Sequence, residues 1–125
     1  MTVSFDFAGR AVLVTGASKG IGKGIAEAFG RAGATVGVNF NRDRAGAEAT
    51  AATIRAGGGR AILLQADVGD PLAVAGMVEA FAAQTEAIDI LINNAGQAGP
   101  DKPLIDTSPE AWQDLLAANL DGPFY

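Results

Sequence analysis

Short apolar runs alternate along the chain with longer segments in which apolar residues recur every three or four positions. The runs AVLVT, TVGVNF, AILLQA and IDILIN begin 24, 26 and 27 residues apart, at Ala11, Thr35, Ala61 and Ile88. That interval accommodates one strand and one crossover helix, so it predicts strands that alternate with helices. The runs are mostly continuous, which is typical of parallel strands that helices cover on both faces. A solenoid has similar periods, but these units share no residue pattern beyond hydrophobicity.

The segments between the runs carry helix signals of different strength. The first predicted helix has its apolar stripe at Ile21, Ile25, Ala28, Phe29 and Ala32, and Gly33 can end it in the left-handed conformation. The second, over 45–56, is weaker and ends at the glycines 57–59. Two later helices begin at Asp70-Pro71 and Ser108-Pro109, where a capping side chain precedes a proline. Their stripes are Val74, Met77, Val78, Phe81 and Ala82 in one helix, and Trp112, Leu115, Leu116, Asn119 and Leu120 in the other.

The composition narrows the classes of protein. With 125 residues and 49% hydrophobic content, the chain fits one domain with a packed core. Its formal net charge of −5 argues against a nucleic-acid-binding surface. The absence of cysteine and histidine removes disulfides, thiolate catalysis and the commonest metal ligands, so we expect no metal site. There is no signal-peptide pattern and no apolar run near the ~20 residues of a spanning helix, so we expect a cytoplasmic protein without membrane contact.

The sequence TGASKGIG, residues 15–22, lies between the first predicted strand and the first predicted helix. A glycine-rich turn at this place lets backbone N–H groups approach a pyrophosphate, and the helix start adds partial positive charge. Gly16 would make the turn, Gly20 would allow close approach, and Gly22 would permit tight helix packing. A purely structural turn could use the same glycines, but the strand before it and the helix after it favour phosphate binding.

The glycine spacing is G-x-x-x-G-x-G, and two further motifs follow it in the chain. The dipeptide DV at 67–68 follows the third predicted strand, and NNAG at 93–96 follows the fourth. With these motifs the chain, from about Arg10 to Tyr125, resembles the short-chain dehydrogenase/reductase family, and it is similar to 3-oxoacyl-carrier-protein reductases and glucose dehydrogenases. The resemblance implies an α/β fold in which residues 1–125 form a single dinucleotide-binding Rossmann domain. Its doubly wound parallel sheet would be incomplete, with four strands in the order 3-2-1-4.

The resemblance also implies roles for the motif residues. Those along the phosphates and ribose of a dinucleotide would be Gly16, Ser18, Gly20, Ile21 and Gly22. Asp67 would accept a hydrogen bond from the adenine amino group beside the Val68 N–H, although Asp67 alone would be interpreted as a strand-end cap. The residues along the adenosine and nicotinamide riboses would be Asn93, Ala95 and Gly96. Thr15 and Asn94 are interpreted as structural partners that tie the first strand to the fourth.

The end of the second strand bears on the choice of cofactor. A carboxylate there would bind the ribose 2′-hydroxyl of NAD, whereas a basic residue would accommodate the 2′-phosphate of NADP. The segment NFNRDR places Asn39, Asn41 and Arg42 at this point, and Asp43 comes late. In related NADP-using members, a cation at the position of Lys19 lies close to the same pocket. Lys19 and Arg42 together favour NADP over NAD; the alternative is that both are ordinary solvated surface charges.

Asn119 is a polar residue on the apolar stripe of the last predicted helix. Pro123 follows four residues later and has no N–H, so the Asn119 carbonyl lacks its normal partner within the helix. The resemblance implies that Asn119 lies at a helix kink and holds a water molecule of a proton relay. The alternative is a frayed helix end that the asparagine caps.

Family catalysis needs a serine and a Y-x-x-x-K pair, and this chain has no such set. The only tyrosine, Tyr125, is the last residue and is interpreted as a helix-face residue. We therefore expect the domain to be truncated before the catalytic region. The resemblance implies the N-terminal part of an NADP(H)-dependent oxidoreductase that transfers hydride between nicotinamide and a small carbonyl or alcohol substrate, and that is a homo-oligomer when complete. The alternative is a non-catalytic dinucleotide-binding fragment; an unrelated parallel-sheet protein would leave NNAG unexplained.

Overall fold

A computed structural model describes all 125 residues, and its centre is one four-stranded parallel sheet. The strands are β1 (Ala11–Val14), β2 (Thr35–Phe40), β3 (Arg60–Gln65) and β4 (Ile90–Ile92). They lie in the order β3-β2-β1-β4, and every neighbouring pair is parallel. This confirms the predicted α/β fold and the predicted strand order.

Helices connect the strands, as the alternating pattern predicted. They are α1 (Gly20–Arg31), α2 (Arg44–Ala56), α3 (Pro71–Thr85), α4 (Pro109–Leu116) and α5 (Gly122–Phe124). A 3-10 turn over Leu104–Asp106 precedes α4, and a π-helical segment over Ala117–Asp121 joins α4 to α5. None of these helices has the length and apolar character that crossing a bilayer requires.

Each face of the sheet has its own hydrophobic core, which explains why the strands are apolar at nearly every position. Successive residues of β1 alternate between the faces, so Val12 and Val14 enter one core and Leu13 the other. The core against α1 and α2 includes Val36, Val38, Phe40, Ala26, Ala51 and Ile54. The core that contains α3 residues includes Ile62, Leu64, Val74, Met77 and Phe81.

The buried stripe of α1 differs from the predicted one. Its fully buried residues are the small ones, Gly22, Ala26 and Gly30, whereas Ile21 is 77% exposed. The reason is close packing, because a Cβ atom added to Gly30 would lie 2.7 Å from Cγ2 of Ile54 on α2. Large apolar residues dominate a periodic pattern, but here the small residues let α1 approach its neighbours.

The apolar stripe predicted for the last helix is not buried in this chain. Trp112 is 47% exposed and Leu120 is 62% exposed, and Asn119 is exposed between them. Ala118 is the one buried residue of α4 and the π-helical segment. The stripe stays open because no other helix or strand of the chain packs closely against α4.

Two glycines of α1 provide a matched test of its close packing. Gly24→Ala adds a methyl group where nothing lies within 4 Å, so we expect about 0.5–1 kcal/mol of stabilisation from the better helix propensity of alanine. Gly30→Ala adds the same group against Ile54, and overpacking should lower the free energy of unfolding by about 1 kcal/mol. Urea unfolding of both variants and the parent measures the difference. Equal effects of the two substitutions would contradict tight packing of α1 on α2.

Candidate functional site

A groove of about 460 Å³ lies where the strands end and the loops to the helices begin. The carboxyl edge of a parallel sheet is where α/β folds bind ligands, and this volume is typical of small-molecule sites. The groove brings together most of the predicted site residues: Gly16, Ser18, Lys19, Gly20, Ile21, Gly22, Asn41, Asp67, Val68, Ala95 and Gly96.

Three predicted residues lie elsewhere. Arg42 lines an adjoining cavity, which shares Asn41 and Asp67 with the groove. Asn93 does not line the groove, because successive residues that leave β4 point in opposite directions and Asn94 takes the inner position. Asn119 lies beside the groove and reaches it through Gln97, as described below.

Besides Asn39 and Asn94, the groove contains four residues to which the motifs assigned no role in binding. They are Phe40, Ala66, Gln97 and Ala118. The first three directly adjoin motif residues at the strand ends, which is the signal that could have indicated them. Ala118 comes from the π-helical segment, and no local pattern places that segment against the groove.

Helix α1 begins at the groove without a side-chain cap. The side chains of Asp43, Asp70 and Ser108 accept hydrogen bonds from the first turns of α2, α3 and α4, whereas the residue before α1, Lys19, makes no such bond. The N–H groups of residues 18–22 donate to no acceptor in the protein. Five successive free donors at a helix start form a surface that attracts anions such as phosphate.

The three glycines of this loop are required for different reasons. A Cβ atom on Gly16 would lie 2.9 Å from the Ala95 Cα atom, so the turn has no room for a side chain. A Cβ atom on Gly22 would collide with the Gly16 carbonyl oxygen and the Asn94 amide. Gly22 belongs to helix α1, and its backbone packs directly against the glycine loop. Gly20 has open space around it, but its φ of +59° is a left-handed value that favours glycine.

Asn39 is a structural residue and not a ribose-binding one. It is 1% exposed, and its Oδ1 accepts a hydrogen bond from the Gly16 N–H at 3.0 Å. Its Nδ2 donates to the carbonyls of Leu64 at 3.1 Å and Ala66 at 3.2 Å. Asn39 thus joins the glycine loop to the end of β3, and its side chain is fully occupied by these bonds.

Thr15 and Asn94 join the ends of β1 and β4, as predicted. The Thr15 Oγ1 accepts hydrogen bonds from the N–H groups of Asn94 at 3.0 Å and Ala95 at 2.9 Å. In return, the Asn94 Nδ2 donates to the carbonyls of Thr15 at 2.9 Å and Gly16 at 3.0 Å. These bonds fix the NNAG segment against the glycine loop.

Charged residues surround the turn after β2, but two cations have no acidic partner. Lys19 and Arg42 form no ion pair, and both line the groove or its adjoining cavity. The carboxylate of Asp43 accepts a hydrogen bond from the Gly46 N–H at 2.9 Å, so it serves as the cap of α2. One carboxylate oxygen of the acid that follows Arg42 is therefore engaged at the helix start.

Two side chains hold this turn from the neighbouring strand and helix. The Gln65 Nε2 donates to the Asn41 carbonyl at 3.0 Å, and Arg44 Nη2 donates to the Gln65 Oε1 at 3.3 Å. The Arg44 guanidinium also lies 5.0 Å from the centre of the Phe40 ring, which is a cation–π distance. The backbone that carries Asn41 and Arg42 is thus supported from β3 and from α2.

Asp67 and Val68 leave donors and acceptors free on the opposite wall of the groove. Asp67 Oδ1 accepts a hydrogen bond from the Gly69 N–H at 2.9 Å, as a turn-capping residue does. Its second oxygen has no donor in the protein, and the Val68 N–H has no acceptor. The pair therefore offers one acceptor and one donor side by side.

Asn119 lies in the π-helical segment and clamps the loop that follows β4. Its Nδ2 donates to the Gln97 carbonyl at 2.9 Å, and the Gln97 N–H donates to its Oδ1 at 3.0 Å. The Nδ2 also donates to the Leu115 carbonyl at 3.0 Å. The helix continues past Asn119 into α5. The alternative prediction, in which Asn119 caps a frayed helix end, is therefore wrong. The wider π spacing accommodates Pro123, and such segments occur frequently at functional sites.

Comparison with known proteins agrees with this fold and these motifs. Residues 10–125 match the family model of the short chain dehydrogenases. The chain is 35% identical over 119 residues to glucose 1-dehydrogenase 2 of Bacillus subtilis strain 168, which covers 95% of this chain and 46% of the relative. It is 36% identical over 115 residues to a 3-oxoacyl-[acyl-carrier-protein] reductase of Staphylococcus aureus strain Mu50, with coverages of 92% and 46%.

A solved structure gives the same result. A short chain dehydrogenase from Burkholderia cenocepacia J2315, determined in complex with NADP, superposes with a TM-score of 0.89 at 37% identity. The superposition covers 94% of this chain and 47% of that structure. The chain thus spans about half the length of these relatives. On the strength of the family match, the motifs and the fold, the chain belongs to the short-chain dehydrogenase/reductase family.

Proposed function

We propose that the groove binds the dinucleotide NADP(H), and that the chain is the cofactor-binding part of an oxidoreductase. The complete enzyme would transfer hydride between nicotinamide and a small carbonyl or alcohol substrate. The observation that carries the proposal is the row of free N–H groups at residues 18–22, at the one major helix that begins without a side-chain cap. A diphosphate supplies the acceptors that this row lacks.

The remaining walls of the groove suit the other parts of the cofactor. The free carboxylate oxygen of Asp67 can accept from the adenine amino group, while the Val68 N–H can donate to a ring nitrogen beside it. Ala95 and Gly96 lie across the groove, where the riboses would pass. Asn93 is outside this lining, so we do not assign it a contact through its side chain.

Charge favours NADP over NAD. Lys19 and Arg42 are cations without acidic partners, and a 2′-phosphate would supply the missing negative charge. Asp43 directly follows Arg42, but it lines neither the groove nor its adjoining cavity and serves as the cap of α2, so it is poorly placed to accept from a ribose 2′-hydroxyl. The Burkholderia relative with bound NADP supports the same choice.

The cofactor supplies hydride chemistry when bound, and this chain's residues hold and orient it. For Asn119 we propose the proton-relay role, since its π-helical segment adjoins the groove through Gln97. We assign Tyr125 no role in acid catalysis, because it lines a separate cavity with Pro71 and Val78 of α3 and not the groove. The second candidate function, cofactor binding without turnover, therefore applies to the 125-residue chain on its own.

We also propose that the complete protein assembles as a homo-oligomer.

An acid at the start of α1 tests the phosphate site. Ile21 is exposed, so Ile21→Asp should leave the free energy of unfolding unchanged or raise it by about 0.3–1 kcal/mol through the helix dipole. The same carboxylate would repel the diphosphate and compete for the free N–H groups, so NADPH affinity should fall by about tenfold or more. NADPH fluorescence titration and urea unfolding give the two quantities.

Leu72→Asp is the matched control for this experiment. Leu72 is also exposed and lies in the first turn of α3, away from the groove. Its substitution introduces the same charge at a helix start and should leave NADPH affinity unchanged. If Ile21→Asp binds NADPH as tightly as the parent chain, the diphosphate does not lie at the start of α1.

The cofactor preference has its own test. Arg42→Asp should lower NADP affinity by about tenfold, because a charge-assisted hydrogen bond is lost and a like charge faces the 2′-phosphate. The affinity for NAD should rise relative to that for NADP, and titration with both nucleotides measures the ratio. Arg31→Asp makes the same change at an exposed cation that lines neither the groove nor its adjoining cavity, and it should leave the ratio unaltered. An unchanged ratio in Arg42→Asp would contradict the role of Arg42.

Binding and turnover can be separated in the purified chain. We expect the 125-residue chain to bind NADPH but to show no reduction of a carbonyl substrate, because its groove contains no tyrosine to act as the acid. The assay follows NADPH absorbance with a panel of small ketones and a 3-oxoacyl thioester. Substrate-dependent loss of NADPH absorbance would show that other groups of this chain complete the reaction.

A further inference from the structure

Thr50 lies in the middle of α2, outside all the motifs, and its side chain is fully buried at 0% exposure. Its hydroxyl donates to the carbonyl oxygen of Ala17, in the glycine loop, at 2.9 Å. The Gly46 carbonyl, one turn earlier on the same helix, lies at 3.1 Å from the hydroxyl. A hydroxyl has one proton to donate, and Ala17 is the closer acceptor.

The bond to Ala17 sets the direction of the next N–H group. The Ala17 carbonyl and the Ser18 N–H belong to one peptide unit, which is planar and trans. The two groups therefore point in opposite directions. Because the carbonyl points towards α2, the Ser18 N–H points away from α2, and Ser18 lines the groove.

Helix α2 is shaped for this close approach to the loop. A Cβ atom on Gly46 would lie 2.6 Å from the Ser18 carbonyl oxygen, so no side chain fits there. Thr50 follows one turn later and places its hydroxyl under Ala17. The two residues make α2 a support beneath the loop as well as a connection between β2 and β3.

We propose that Thr50 is a positioning residue for the diphosphate of the cofactor, an inference that rests on the function proposed above. Its hydroxyl keeps the Ala17 carbonyl out of the groove and thereby directs the Ser18 N–H into it. A carbonyl oxygen that faced a phosphate would repel it, whereas an N–H group attracts it. Without the hydroxyl, the buried carbonyl has no partner and gains one by turning towards the water in the groove.

Two substitutions at position 50 separate the hydroxyl from the shape of the side chain. Thr50→Val removes the hydroxyl and keeps the volume, and it should weaken NADPH binding by about tenfold. Thr50→Ser restores the hydroxyl and should bind NADPH within about twofold of the parent chain. Titration with 2′-AMP gives a second readout, because this nucleotide has the adenine and the 2′-phosphate but no diphosphate. Its affinity should be the same in all three proteins.

The same helix offers two controls. Thr53 makes only the bond to its own helix, to the Ala49 carbonyl at 3.1 Å, so Thr53→Val should retain the parent's NADPH affinity. Ile54→Val loses a buried methylene next to Gly30 and lowers the free energy of unfolding without touching the bonds of the loop. It should also retain NADPH affinity. Urea unfolding of every variant shows that each one is folded during the titrations.

Several outcomes would overturn the role of Thr50 while leaving the proposed function intact. They are parent-like NADPH binding by Thr50→Val, an equal loss of affinity in Ile54→Val, and a parallel loss of 2′-AMP affinity. A folded parent chain that binds no NADPH would instead refute the proposed function, and the role of Thr50 would fall with it.

Discussion

The backbone of residues 15–17 leaves the sheet in a largely buried turn, and every polar group of that backbone has a partner inside the protein. The three N–H groups and three carbonyls are bonded to Ile92, Asn39, Asn94 and Thr50. A buried backbone group without a partner would cost about 1–3 kcal/mol. These bonds therefore hold the turn in one conformation, and they connect it to β2, α2 and the segment after β4.

The residues that directly follow this turn have backbone N–H groups without partners inside the protein. From residue 18 to residue 22 no N–H group has a protein acceptor. A rigid turn thus presents a row of donors that a phosphate can meet without rearrangement, and preorganised sites of this kind lose little free energy to ordering when they bind. The residues that fix the loop are therefore different from the residues that would bind the ligand in the proposed function.

Helix α2 supports two parts of the proposed site, the turn that carries Arg42 and the glycine loop. Its first turn is capped by one carboxylate oxygen of Asp43, which follows Arg42, and its middle supports the glycine loop through Thr50. These two structural roles explain why the apolar pattern of α2 is weak. Polar and very small residues occupy positions that a plain crossover helix would fill with leucine or isoleucine.

The strands and the helix starts could be predicted from the sequence, because they depend on local patterns such as AVLVT and Asp70-Pro71, and the strand order followed from the family resemblance. The stripe of α1 could not, since the need for small residues arises from the distance to Ile54, which is remote in sequence. The structural role of Asn39 could not be predicted for a similar reason. Its partners at Gly16 and Leu64 are 23 and 25 residues away, and only the parallel register brings them together.

The link between Thr15 and Asn94 has a consequence for the order of events during synthesis. These residues are 79 apart in sequence, against 23 for Gly16 and Asn39, so closing the longer loop costs about 1 kcal/mol more entropy. The carbonyls of Thr15 and Gly16 stay unpaired until the fourth strand docks beside the first and brings Asn94 to them. The glycine loop is therefore completed only when a segment 79 residues further along the chain has docked.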